Sequence, residues 1–107
     1  MSADVAADPV LVRFRAALIE LYGPRLDRIV LFGSRARGEV RPDSDYDIAV
    51  FLSDFHDRWS EIDRLVPVVT DILYDDGAFI HAMPYRVGAD KERTPLMHEI
   101  RREGVEL

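Results

Sequence analysis

Two aspartates one residue apart, Asp45 and Asp47, open the apolar run Tyr46–Leu52, and a glycine–serine pair, Gly33-Ser34, ends the apolar run before it. Charge at a strand entrance is costly unless something uses it. In an extended chain, carboxylates at i and i+2 share a side, with α-carbons about 6.6 Å apart. Their side chains can converge on one hard cation such as Mg²⁺, which takes few carboxylates plus water and phosphate oxygens. Such an ion offsets the crowding of like charges. Gly33 lets the backbone turn and lets a phosphate approach closely. Ser34 adds a hydroxyl, and amides at the start of a following helical turn make an anion site. Arg35 and Arg37 place cations beside that turn. A phosphate cradle and a carboxylate pair on adjacent strands are the parts of metal-assisted phosphoryl or nucleotidyl transfer.

The elements that must position these groups are readable from spacing. Asp8-Pro9 predicts a helix start, and Leu11, Phe14, Leu18 and Leu21 give it one apolar stripe. Gly23-Pro24 stops that helix. Arg28–Phe32 reads as a strand, residues 34–44 as a polar connection with one helical turn, and Tyr46–Leu52 as a second strand. Alternation places Asp45, Asp47, Ala49 and Phe51 on one side, and Tyr46, Ile48, Val50 and Leu52 on the other. Ser53 or Asp54 is the expected cap of a second helix, with Phe55, Trp59, Ile62, Val66, Val69 and Leu73 as its core stripe. Pro67 is expected to kink or break that helix. Asp76-Gly77 reads as a turn, and residues 78–85 as a third strand whose Pro84 implies a sheet edge or a strand end. Thr94-Pro95 caps a last helix that closes near Gly104. The order predicts an α/β (α+β) fold, a small mixed sheet backed by helices.

The chain has 107 residues, 48% of them hydrophobic, enough for one domain with a small core. Residues 1–7 are small or polar and are expected to be frayed. There is no cysteine, so disulfides and thiolate metal sites are excluded. Fourteen basic against 20 acidic residues leave a net charge of −6. That balance argues against general nucleic-acid binding, so no direct DNA binding is expected. The first ten residues lack a basic and apolar leader pattern, and no apolar run approaches the ~20 residues that span a bilayer. The sequence reads as soluble, cytoplasmic and without a membrane partner.

Gly33-Ser34, ten intervening residues, and then Asp45-Tyr46-Asp47 resemble the signature of the DNA polymerase β-like nucleotidyltransferase superfamily. Within it the chain is most similar to the minimal nucleotidyltransferases (MNT), the MntA-like antitoxins of HEPN/MNT toxin–antitoxin pairs. The resemblance covers the length and element order of the whole chain, and its specific residues lie within 31–52. It implies that Asp45 and Asp47 are catalytic and hold Mg²⁺. It implies that Gly33 and Ser34, with Arg37 nearby, bind the triphosphate of ATP. It further implies transfer of AMP to a tyrosine hydroxyl of a HEPN-type toxin, which silences the toxin. Superfamily members usually carry a third carboxylate on a later strand. Residues 78–85 have none, Asp75 and Asp76 are expected in the preceding turn, and His81 is a candidate for that position. The alternative is a nucleotide-binding antitoxin that neutralises its partner by binding alone.

Other groups have ordinary readings. Asp43 is expected in the loop with Pro42 setting its turn, and Ser44 as a local cap. His56 and His98 are placed on helices without a role, and Trp59 in the core.

Overall fold

The computed structural model describes residues 5, 7–39, 41 and 44–107. The residues expected to be frayed lie partly outside this range, which includes Val5 and Ala7, both helical.

Helix α1 spans Pro9–Tyr22. The Asp8 carboxylate accepts the Val10 N–H at 2.9 Å, which satisfies one of the orphan donors at a helix start. Leu11, Phe14, Leu18 and Tyr22 are buried, whereas Leu21 faces solvent. The buried stripe therefore closes with a 4-residue step rather than the 3-residue step expected. Gly23 then ends the helix by donating its N–H to the Ile19 carbonyl.

Strands β1 (Leu26–Phe32) and β2 (Tyr46–Leu52) are antiparallel, with Ile29 opposite Val50 and Phe32 opposite Asp47. Helix α2 (Arg58–Asp76) crosses over to β3 (Ile80–Arg86), which lies parallel to β2 and pairs His81 with Asp47. A 3₁₀ turn at Ala89–Lys91 and helix α3 (Pro95–Glu103) follow. Thr94 caps α3, its hydroxyl accepting the Met97 N–H at 3.2 Å. A two-residue strand β4 (Val105–Glu106) then pairs antiparallel with β1, giving the order β3-β2-β1-β4. Among the described residues, this mixed four-stranded sheet with helices α1–α3 is the small α/β architecture expected.

Alternation along β2 works as anticipated, and both of its faces are buried. Tyr46, Ile48, Val50 and Leu52 pack with α1 and α2. Ala49 and Phe51 pack with Tyr85, Ala89, Met97 and Ile100 beneath α3. Pro84 sits on edge strand β3, where a missing N–H leaves no ladder bond unmade. Strand β4 was not anticipated, since two residues carry no periodicity. It depends on Gly104, where a Cβ would lie 2.4 Å from the Ile100 carbonyl oxygen and 2.5 Å from Val30 Cγ1.

Helix α2 departs most from expectation. Its cap is Asp57, which accepts the Trp59 N–H at 3.2 Å and the Ser60 hydroxyl at 2.8 Å. Neither Ser53 nor Asp54 caps it, because the chain first turns at Asp54, whose φ is +52°, and then runs on over residues 55–57. The buried positions are Glu61, Leu65 and Ile72, with Val68 and two members of the expected stripe, Phe55 and Val69, packed against the same core. Trp59, Val66 and Leu73 instead face solvent. Two apolar stripes run along α2, and the one that faces the sheet contains an acid, which disguises it. Glu61 is only 4% exposed and is neutralised by Arg25 from the turn after α1. A buried carboxylate without such a partner would be strongly destabilising. The helix is unbroken across Pro67, which lies on the solvent side, where water can take the carbonyl left unpaired.

Beside Glu61 lies Tyr22, whose buried hydroxyl has no hydrogen-bond partner among the described residues. Burial, and then the nearby Glu61 charge, push its pKa up to about 12. The folded state thus holds this proton more tightly than the unfolded chain, whose tyrosines titrate near 10. Stability from this group is complete below about pH 10 and is lost as pH rises toward 12. Tyr22→Phe should therefore unfold at higher pH than the parent in an alkaline titration followed by circular dichroism. At pH 7 it should lose less than about 1 kcal/mol, because no hydrogen bond is broken.

Candidate active site

Strand β1 ends where its partner β2 presents Asp47, and the chain must leave the sheet there without covering that carboxylate. Gly33 does this. Its φ is +77°, and a Cβ at this position would lie 2.5 Å from Asp47 Oδ2. The backbone angle favours glycine, and a Cβ would have to displace the Asp47 carboxylate. The chain then winds into a tight turn, with Arg37 N–H donating to the Gly33 carbonyl at 3.2 Å and Glu39 N–H to that of Ser34 at 2.9 Å. This is the helical turn expected after Ser34. Such a turn leaves the amides of Ser34, Arg35 and Ala36 without partners inside it.

Asp45 immediately precedes β2 and is exposed, while Asp47 lies inside the strand and is partly covered. The parallel register brings His81 beside Asp47, with Nδ1 3.7 Å from Asp47 Oδ1 and the imidazole largely exposed. Gly33, Ser34, Asp45, Asp47 and His81 therefore meet at one end of the sheet. On β3 the residue beside Asp47 is His81. Among the described residues no group of three His, Cys, Asp or Glu side chains forms a ready metal cluster.

The arginines of the turn are otherwise engaged. Arg35 donates from Nε to the Ser44 carbonyl at 2.9 Å, and its guanidinium lies 3.9 Å from the centre of the Tyr46 ring. It braces the loop that delivers Asp45. Arg37 reaches α3, pairing with Glu103 at 3.1 Å, and also meets Glu39 at 3.3 Å. Ser44 caps its own loop, as expected, accepting the Arg41 N–H at 3.0 Å. Asp43 and Pro42 lie outside the described residues.

Three placements differ from the sequence reading. Asp75 and Asp76 belong to the last turn of α2 and bind Arg13 of α1 at 2.8 and 3.1 Å, so they tie two helices together instead of serving the site. His56 lies in the extended segment before α2, not on a helix. Trp59 is 73% exposed. Sequence reasoning also passed over the second anchor of the aspartate loop. Tyr46 donates its hydroxyl to Asp8 at 2.7 Å, locking the start of β2 to the cap of α1. Burial and then this bond push its pKa up to about 12. Alternation put Tyr46 on the side shared with Ile48, Val50 and Leu52, but a partner 38 positions away leaves no local signal.

The nucleotidyltransferase domain family matches residues 11–96, a span that holds every residue of the site. The chain belongs to the nucleotidyltransferase domain family. No curated protein matches this nucleotidyltransferase domain in sequence. Solved structures match it in fold. One is a toxin–antitoxin with AMP-PNP, with a TM-score of 0.57 and 21% identity over 87% of this chain and 68% of the other. Another is a mutant of the MntA–HpeT toxin–antitoxin, with a TM-score of 0.60 and 20% identity over 86% and 68%. A third is the tri-AMPylated Shewanella oneidensis HEPN toxin in complex with MNT antitoxin, with a TM-score of 0.51 and 20% identity over 87% and 67%. Among the described residues of this domain, no helix is long and apolar enough to cross a membrane.

If the contact with Asp47 is what excludes a side chain at Gly33, the two positions are energetically coupled. Gly33→Ala should cost about 1–2 kcal/mol from the left-handed backbone angle alone. It should cost at least about 1 kcal/mol more in the parent than in an Asp47→Ala background. Urea unfolding of the four proteins measures this, and equal costs in both backgrounds would exclude the contact.

Proposed function

We propose that this chain is a Mg²⁺-dependent nucleotidyltransferase and the antitoxin of a HEPN/MNT pair, transferring AMP from ATP to a tyrosine hydroxyl of its partner toxin. The observation that carries this reading is the juncture of β1 and β2. There the bare α-carbon of Gly33 keeps a side chain away from Asp47, with Asp45 two residues before it.

The donors fit the ion that the family implies. Asp45 and Asp47 offer hard carboxylate oxygens, the ligands Mg²⁺ prefers, and Gly33 keeps the approach to Asp47 open. Bound there, Mg²⁺ would neutralise charge on the phosphate oxygens. The rest falls to the chain itself. The turn after Gly33 offers backbone amides and the Ser34 hydroxyl to the triphosphate. Arg37 can join them by exchanging its exposed pairs with Glu39 and Glu103, since such pairs hold weakly. The acceptor oxygen forms a bond to the α-phosphorus, the bond to pyrophosphate breaks, and the hydroxyl proton leaves to a base. His81, beside Asp47, is a neighbouring group able to take it. Holding these reactants in line supplies much of the rate. The fold shared with an AMP-PNP-containing toxin–antitoxin and with the MNT partner of an AMPylated HEPN toxin supports this reading. A cytoplasmic location goes with it.

A second reading, neutralisation by binding alone, is favoured by one observation: residues 78–85 contribute a histidine and no carboxylate beside Asp47. Mass spectrometry separates the two readings. Incubated with ATP, Mg²⁺ and the HEPN-type partner, the chain should add AMP to a partner tyrosine. The Asp45→Asn/Asp47→Asn protein should be slower by about 10²–10³-fold or more. An unmodified partner in a stable complex would establish the binding-only reading.

A further inference from the structure

We infer that the outward face of α2 is a docking seam for a basic amphipathic helix of another protein. Trp59, Ile62, Val66, Val69 and Leu73 follow one another at steps of three, four, three and four residues. That is the spacing of a helix that receives a second helix. The stripe that holds α2 to the sheet runs through Glu61, Leu65 and Ile72, and Val69 borders both, packing against that core as well. Trp59 is 73% exposed, Val66 49% and Leu73 42%, while Ile62 and Val69 are half-buried at its inner margin. The seam is about 21 Å long at 1.5 Å per residue. An exposed tryptophan at one end is the kind of anchor that dominates binding energy.

Charge selects the occupant. Both arginines of α2 are used within the molecule. Arg58 lies 5.2 Å from the centre of the Tyr85 ring, and Arg64 Nε lies 3.8 Å from Glu61. Asp63 sits one turn from both Trp59 and Val66, whereas Asp71, about 140° round the helix from Val66, lies away from the seam. Neither enters an ion pair among the described residues. A second copy of the chain would bring the same apolar stripe and the same unpaired Asp63, while among the described residues both arginines of its α2 already have partners. A helix with aliphatic seam residues and lysine or arginine on its flank meets both features, and the net charge of −6 favours its approach.

The placement has a consequence for the site. Because β2 and β3 are parallel, α2 runs back between them. Its Leu73 end therefore lies at the end of the sheet where Asp47 and His81 stand. A helix lying on the seam ends beside those residues.

Trp59 is the only tryptophan, so its emission reports occupancy directly. The probe is a synthetic amphipathic helical peptide with leucine at the seam positions and lysine on the flanks. Its control carries glutamate in place of lysine. The lysine peptide should shift the emission to the blue, saturably, and bind at least about tenfold more tightly than the control at low salt. Val66→Asp should weaken binding by at least about tenfold with an unchanged circular dichroism spectrum. Leu73→Ser, a milder change, should show the same loss if Val66→Asp disturbs the fold. No shift with the lysine peptide, or equal affinity for both peptides, would overturn the inference. So would sedimentation showing that the chain alone dimerises and that Val66→Asp makes it monomeric. Neither Asp45 nor Asp47 enters this test, so its outcome is independent of the transferase reading.

Discussion

Strand β2 lies between two cores and carries a carboxylate at its second residue. Asp47 tolerates this position because its antiparallel partner ends opposite it. Phe32 is the last residue of β1, and Gly33 leaves with a backbone angle and an absent Cβ that keep Asp47 uncovered. Every other feature of the site is arranged around that juncture. The turn after Gly33 leaves its first amides unpaired within it, and β3 adds His81 in register. Arg35 and Tyr46 hold the loop that brings Asp45 alongside.

The opposite end of the sheet solves a different problem. There Glu61 is drawn into the core face of α2 and neutralised by Arg25, with the Tyr22 hydroxyl buried close by. Ion pairs of this kind contribute little net stability, but they are costly to break one partner at a time. They fix the rotation of α2 about its axis. That rotation turns Glu61, Leu65 and Ile72 inward and leaves Trp59, Val66 and Leu73 outside. The exposed stripe thus follows from how the helix is anchored.

Much of this was legible in the sequence because it is local. Asp8-Pro9 and Thr94-Pro95 marked helix starts by their own side chains and Gly104 a helix end by lacking one, and the alternation of β2 fixed which residues share a face. The group of Gly33, Ser34, Asp45 and Asp47 stood out because its members flank the β1–β2 connection. What was not legible depends on contacts between distant residues. Helix α2 has two stripes, and choosing the core one required knowing that Arg25 would meet Glu61 across 36 positions. Asp75 and Asp76 looked like turn residues until Arg13 was placed against them. Strand β4 is too short to carry a pattern, and its pairing is set by how closely Gly104 approaches Val30.

The central claim is that the Gly33 turn and the two aspartates form one site for a metal-bound nucleotide. Calorimetric titration of the chain with a non-hydrolysable ATP analogue, with and without Mg²⁺, tests it without any partner. The account predicts binding that depends on Mg²⁺ and that falls at least about tenfold in the Asp45→Asn/Asp47→Asn protein. Binding of equal strength without Mg²⁺, or unchanged by the double substitution, would contradict it.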